Sequence, residues 1–162
     1  MGTEIERKFL VGAPGRVPPT DGPGTELRQG YLAEDGDVQV RIRDAGGATT
    51  LAAKVGRGLE RHEVEVPIGR DDFAGLWSAT AGRRVHKIRH RIPLPGTDGL
   101  VAELDVYGDE LADLCLVEVE FPTRAAAAAF SPPPWFGREV TGDAEWSNAS
   151  LARRGRPDRS AG

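Results

Sequence analysis

The chain has 162 residues, 39% of them hydrophobic, a net charge of −4 and a pI near 5.4, which fits one soluble domain large enough to bury a core. The acidic balance excludes a general nucleic-acid binder, whose affinity rests on a basic surface, so any anion recognised here must be met by a local group of cations. No apolar run of about 18 residues exists to span a membrane, residues 1–11 carry Glu4, Glu6, Arg7 and Lys8 where a signal peptide needs an apolar stretch, and the one cysteine cannot form an internal disulfide, a combination expected of a cytoplasmic protein.

In chain order, alternation of apolar and polar residues predicts strands at 3–11, 26–33, 37–44, 48–56, 60–67, 84–92, 99–107 and 114–121. The stretch from Gly12 to Gly24, with four prolines, reads as a loop after the first strand. Glu34-Asp35-Gly36, Gly46-Gly47 and Gly56-Arg57-Gly58 are short enough for antiparallel hairpins, and Pro95 to Gly99 makes a longer one. A helix is expected at 71–80, where Asp71 or Asp72 can cap a run holding Phe73, Leu76 and Trp77. A second is expected at 123–130, where Thr123 precedes five alanines, and a third at 147–154, starting from Ser147 or Asn148. The domain then spans 1–154, with 155–162 as a disordered tail.

Charges follow the same period. Glu4 and Glu6, Glu63 and Glu65, Glu103 and Asp105, and Glu118 and Glu120 are spaced i, i+2, as are Arg41 and Arg43, and Lys87 and Arg89. Side chains alternate across a strand, so each pair projects from one face while Ile5, Val64, Leu104, Val117 and Val119 project from the other. A solvated outer face is one way to house such pairs. Enclosure is the other, and it is demanding: carboxylates roughly 7 Å apart repel by about 0.5 kcal/mol in water but about 2 kcal/mol at an effective dielectric near 20. Enclosed carboxylates require cations, and a divalent metal ion would satisfy several at once. Lysine usage favours enclosure around an anion. The chain holds 18 Arg and 3 Lys, yet Lys8, Lys54 and Lys87 all fall on the charged face, where a compact ammonium offers a point charge that the arginine fork does not.

Eight strands with short connections imply a mainly β (α+β) fold, an antiparallel sheet closed into a barrel with a few helices packed outside. Its polarity is inverted: the apolar face looks outward, to be covered by the helices, and the interior is a charged tunnel. Other chemistry lacks support. His62, His86 and His90 share parity with the apolar residues, no glycine-rich phosphate loop of the GxxxxGK type occurs, and Ser131 and Ser147 have no histidine on their face. Cys115 has the parity of Val117 and Val119 and reads as a buried core thiol. The alanine run 125–129 reads as a helix packed closely on the barrel, and Trp77, Trp135 and Trp146 as core or lid residues.

Glu4-Ile5-Glu6-Arg7-Lys8 resembles the ExExK signature of CYTH domains, the triphosphate tunnel metalloenzymes. The series Arg41-x-Arg43, Lys54, Glu63-x-Glu65, Lys87-x-Arg89, Glu103-x-Asp105 and Glu118-x-Glu120 is similar to the family's strand-by-strand order, from Glu4 to about Leu151. The likeness is greatest to compact single-domain bacterial inorganic triphosphatases. This resemblance implies an eight-stranded tunnel that binds a triphosphate with Mg²⁺ or Mn²⁺ and hydrolyses it. Lys8, Arg41, Arg43, Lys54, Lys87 and Arg89 are then expected to hold the phosphate chain. Glu4, Glu6, Asp105, Glu118 and Glu120 are expected as metal ligands, and Glu4, Glu6, Lys8, Glu63, Glu65 and Lys87 as the catalytic set, with Glu63, Glu65 and Asp105 completing a second metal site or orienting water. The expected partner is a small triphosphate, with no nucleic acid or membrane, and the expected state is a monomer or homodimer. Thiamine triphosphatase, nucleoside triphosphatase, class IV adenylyl cyclase, a non-catalytic polyphosphate- or nucleotide-binding module, and a barrel plugged by its own salt bridges stay open at this stage.

Overall fold

A computed structural model of the chain describes residues 2–11, 17–20 and 22–158. Nine strands form one antiparallel sheet: β1 (Gly2–Val11), β2 (Thr25–Asp35), β3 (Val38–Ala45), β4 (Ala48–Val55), β5 (Glu60–Pro67), β6 (Arg84–Pro93), β7 (Val101–Tyr107), β8 (Cys115–Glu120) and β9 (Phe136–Glu139). The order is β5-β4-β3-β2-β6-β7-β8-β1-β9, and β5 also pairs with β1, so eight strands close into the expected barrel. The ninth is an addition that the strand pattern did not announce. Gly2 to Ile5 pair with β5, then the Glu6 amide donates to the Leu59 carbonyl; two residues on, the Lys8 carbonyl accepts from the Val140 amide, so the β9 segment takes over the edge that β5 leaves. Among the described residues no helix is long and apolar enough to cross a membrane.

Three helices, α1 (Arg70–Trp77), α2 (Arg124–Ala129) and α3 (Asn148–Arg154), lie where the sequence places them. Thr123 and Ser147 cap α2 and α3 through their side chains, accepting from the amides of Ala126 and Ser150. The cap of α1 differs from expectation: Gly69 is the N-cap, and Asp71 and Asp72 lie inside the first turn, where they face the positive end of the helix dipole. Residues 12–16 and 21 of the expected proline loop and 159–162 of the expected tail lie outside the described residues; 155–158 follow α3 without regular structure.

The apolar face does point outward, and helices cover part of it. Ile5, Phe9, Leu104, Val117 and Val119 on β1, β7 and β8 are buried beneath α2, Trp135 and Phe136, with Ala127 of the alanine run itself buried against them. Arg7, on the same outer face, fastens this cover: its guanidinium pairs with Glu139 of β9 and donates to the carbonyls of Ala127 and Phe130 at 2.9 and 3.0 Å. The outer faces of β3 to β5 are barer than expected: α1 packs on β3 and β4, yet Val38, Val55, Val64 and Val66 stay exposed. Cys115 packs against the apolar cluster but is half-buried rather than fully enclosed.

A second apolar cluster closes part of the interior itself. Val85, Tyr107 and Leu116 share the inward parity of Lys87, Asp105 and Glu118, and they meet Leu111, Leu114, Val140, Trp146 and Leu151 at one end of the barrel. The interior therefore changes from charged to apolar along its length, and the helix α3 rests against that apolar end. Leu116 has no exposed surface. Leu116→Ala is expected to cost about 3 kcal/mol and lower the melting temperature by roughly 10 °C, read by thermal denaturation; a shift under about 2 °C would show that the plug collapses around the cavity.

Candidate active site

Every charged residue selected by alternation lies on the inward face. Register sets the neighbours: Lys8 stands opposite Glu118, Glu6 opposite Glu120, Arg89 opposite Asp105, Glu103 opposite Glu118, and Lys54 opposite Glu63. In β2 a bulge between Tyr31 and Ala33 exchanges the inward set, so that Leu27, Gln29 and Tyr31 face in before it and Glu34 is aligned with Gln39 after it.

The deepest part is an ion-pair network around Asp105. Lys87 and Asp105 have no exposed surface and meet at 2.5 Å. Arg89 holds the same carboxylate with two parallel hydrogen bonds of 2.7 and 2.8 Å, reaches Glu118 at 3.1 Å, and also pairs with Glu103. Lys8 meets the other oxygen of Glu118 at 3.1 Å. Burial opposes ionisation of both acids, but Lys87 and Arg89 hold the Asp105 carboxyl below its usual range, and Lys8 and Arg89 hold Glu118 well below it. The cations crowd one another. Burial, despite Asp105 and helped by Arg89, pushes the Lys87 ammonium down to about 8, and burial with Arg41 and Arg89 pushes the Arg43 guanidinium down to about 10.

Carboxylates crowd in the same way at the seam of β1, β5 and β8. Burial and the charge of Glu118, then Glu4, push the Glu6 carboxyl up to about 7 against Lys8 and Arg61. Burial and the charges of Glu4, Glu103 and Glu63 raise that of Glu120, which is exposed. Glu4 accepts from Lys54 with both oxygens, at 2.9 and 3.2 Å, and Glu63 lies 3.2 Å from the same ammonium. Arg41, almost wholly buried, pairs with Glu65 at 3.0 Å and Glu63 at 3.4 Å, while its Nε has no hydrogen-bond partner.

Alternation missed several interior groups. Arg61 has the parity of Glu63 and Glu65, which was the available signal, and bridges Glu4 and Glu6. Gln29 accepts from the Nε and Nη2 of Arg43 and donates to the hydroxyl of Tyr31 at 3.0 Å; neither is charged, so neither enters a charge pattern. Asn148, at the start of α3, accepts from the Tyr107 hydroxyl and, at 3.3 Å, from Lys87; a helix returning from more than 40 residues away leaves no local trace in the strand sequence. The three histidines face outward as expected, His86 pairing with Glu26 at 2.9 Å. Trp135 and Trp146 are core residues, and Trp77 lies half-buried on the outside, with the guanidiniums of Arg84 and Arg28 over its ring at 4.4 and 5.6 Å.

Among the described residues no three carboxylate, imidazole or thiol groups are gathered into a ready-made metal centre; the interior acids face cations instead. Their chemistry nonetheless fits a hard divalent ion: the donors are all carboxylate oxygens, and Glu4, Glu6 and Glu120 belong to a group whose mutual repulsion such an ion relieves.

No family model matches the chain. It is 47% identical over 151 residues to an inorganic triphosphatase of Nitrosomonas europaea, covering 93% of this chain and 97% of that protein. The chain belongs to the inorganic triphosphatase family. An inorganic triphosphatase of Acetivibrio thermocellus is 33% identical over 156 residues, covering 94% of this chain and 95% of the relative. A crystal structure of the inorganic triphosphatase NE1496 superposes with a TM-score of 0.70 at 43% identity, covering 97% of this chain and 99% of that one. The barrel described above is thus the fold of the inorganic triphosphatases, with the charged series on its inner wall.

Asp105 is the anion that makes the buried Lys87 tolerable. Asp105→Ala is expected to cost about 3–5 kcal/mol, since it leaves an ammonium enclosed beside Arg89 with no carboxylate against it. Urea denaturation measures this, and a loss under about 1 kcal/mol would show that Asp105 is not what stabilises Lys87.

Proposed function

We propose that this chain hydrolyses inorganic triphosphate to pyrophosphate and orthophosphate within the barrel, with Mg²⁺ or Mn²⁺ held by tunnel carboxylates. One observation carries the reading: on a single enclosed wall Lys8, Arg41, Lys54 and Arg61 line one cavity together, while Glu6 stands opposite Glu120 and Glu103 opposite Glu118 on neighbouring strands. A polyanion relieves the first strain and a divalent cation the second, so the two together complete the charge pattern.

Lys8, Arg41, Arg43, Lys54, Lys87 and Arg89 take the phosphate oxygens. They come from β1, β3, β4 and β6, so their positions are fixed by the closed sheet and need little reorganisation as charge shifts toward the leaving group. Glu4, Glu6 and Glu120 are the foremost metal ligands. Asp105 and Glu118, expected as metal ligands, have their oxygens held by Lys87, Arg89 and Lys8 and serve here to fix those cations in place. Glu63 and Glu65, set between Lys54, Arg41 and Thr50, orient the attacking water. The bound ion supplies Lewis acidity toward phosphate oxygens and lowers the pKa of a water. One chain supplies all these groups, so a monomer and a homodimer serve this chemistry alike, and a chain with a single cysteine suits the reducing cytoplasm.

Inorganic triphosphate is favoured over thiamine or nucleoside triphosphates because none of the three tryptophans lines the charged section to stack on an organic ring. The test is phosphate release from inorganic triphosphate, ATP and thiamine triphosphate in parallel, with Mg²⁺, Mn²⁺ or EDTA. Fastest release from inorganic triphosphate, abolished by EDTA, is expected; preference for an organic triphosphate overturns the substrate, and turnover in EDTA overturns the metal. Lys54→Ala is expected to raise KM about tenfold, the value of one charge-assisted contact, and Glu120→Ala to abolish turnover at any Mg²⁺ concentration. Unchanged kinetics in either variant removes that residue from its role.

A further inference from the structure

The group that holds the first two carboxylates of the chain is Arg61. Its Nη2 donates to Glu6 at 3.0 Å and to Glu4 at 3.3 Å, and its side chain is 19% exposed. Arg61 stands directly across the β1–β5 seam from Glu4. Glu4 has a second cation, Lys54, on both its oxygens, whereas the side-chain hydrogen bond described for Glu6 is the one from Arg61. The same arginine lines a small cavity with Lys8, Arg41, Lys54, Tyr31 and Asn148. One guanidinium therefore touches the carboxylates assigned above to the metal and faces the cations assigned above to the phosphate chain.

Resting on that reading of the tunnel, we propose that Arg61 is an exchangeable counter-ion: it occupies Glu4 and Glu6 while the divalent cation is away, gives them up when the cation binds, and turns to the triphosphate. A carboxylate oxygen engaged by a guanidinium at 3.0 Å has one lone pair fewer to offer a metal, and the charge beside it opposes a second cation. The exchange conserves charge at the seam: a cation leaves the acids as a cation arrives, and the freed guanidinium has the fork geometry that suits phosphate oxygens. Arg61 would thus link occupancy by metal to affinity for substrate, without contributing a proton or a nucleophile.

This role predicts an effect opposite in sign to that of a structural clamp. A clamp that orients Glu4 and Glu6 for the metal weakens metal binding when removed; a competitor strengthens it. The parent chain, Arg61→Gln and Arg61→Lys are to be titrated with Mn²⁺ in the absence of triphosphate, following the signal of free Mn²⁺ by electron paramagnetic resonance. Arg61→Gln is expected to bind Mn²⁺ about tenfold more tightly than the parent, the factor of one charge-assisted hydrogen bond, with Arg61→Lys between them. In steady-state assays Arg61→Gln is expected to show a raised KM for inorganic triphosphate with kcat little changed. Unchanged or weaker Mn²⁺ binding by Arg61→Gln overturns the exchange. Arg61→Lys, which keeps the charge, serves if Arg61→Gln loses its fold by circular dichroism, and Mn²⁺ binding no tighter than the parent then overturns the proposal. A parent protein that takes up no Mn²⁺ even with triphosphate present overturns the metal reading of the tunnel instead, so the two failures are distinct.

Discussion

The structure depends on one constraint: a wall of ionised side chains turned inward must be neutralised where it stands. An isolated charge moved into a protein interior costs several kcal/mol even after relaxation. The barrel meets this with opposed charges on neighbouring strands, and the register makes the opposition systematic, as in Lys8 across from Glu118, Arg89 across from Asp105 and Lys54 across from Glu63. Neutralisation is nearly complete around Asp105 and incomplete at the β1–β5–β8 seam, where Glu6 and Glu120 are pushed up by burial and other acids. A tunnel plugged by its own salt bridges would be satisfied throughout. The uneven balance found here, tight at the Asp105 network and strained at the seam, fits the proposed binding of a polyanion together with a metal ion.

Inverting the barrel's polarity moves the hydrophobic driving force to the outside. The cover over β1, β7 and β8 is built from a short alanine helix, two aromatic residues and β9, and it is fastened by Arg7, a charged residue on the apolar face whose donors are met by Glu139 and the carbonyls of Ala127 and Phe130. Alanine suits that helix because a small side chain lets its backbone lie close to β1, with Ala127 joining the apolar cluster there. The interior has an apolar section too, so the charged chamber is bounded along the axis by Leu116, Tyr107 and Trp146. Stability thus comes from two apolar clusters flanking a polar chamber, and the chamber can carry strain because the clusters on either side do not.

The strands were legible because period-two alternation was written in two alphabets at once, charge on one face and β-branched or aromatic residues on the other. Boundaries fell within about two residues for most strands, and the turns named by glycine and proline are the turns observed. The charged inner wall followed from the same parity. The gaps have physical causes. Phe136–Glu139 is a four-residue strand whose pairing depends on where β5 leaves β1, a tertiary fact with no periodicity of its own. Gly69 caps α1 because the chain turns out of β5 at that residue, ahead of the two aspartates that composition favoured. Gln29, Tyr31 and Asn148 are neutral, and a search for charge passes over them.

Arg61 is the more instructive omission, since its parity was visible and its partners were already identified. Read along β5 alone, Arg61-His62-Glu63-Val64-Glu65 places a cation in series with two acids, which suggests local balance within one strand. The closed sheet shows otherwise: Glu63 is matched by Lys54 of β4, Glu65 by Arg41 of β3, and Arg61 is left to serve Glu4 and Glu6 across the seam. Barrel closure, by bringing the first strand against the fifth, converts a residue that looks self-compensating in sequence into the counter-ion of the ExExK acids. The assignment of charge partners in a closed sheet is therefore set by register across strands, and the residues at the closing seam are those whose partners sequence order conceals most completely.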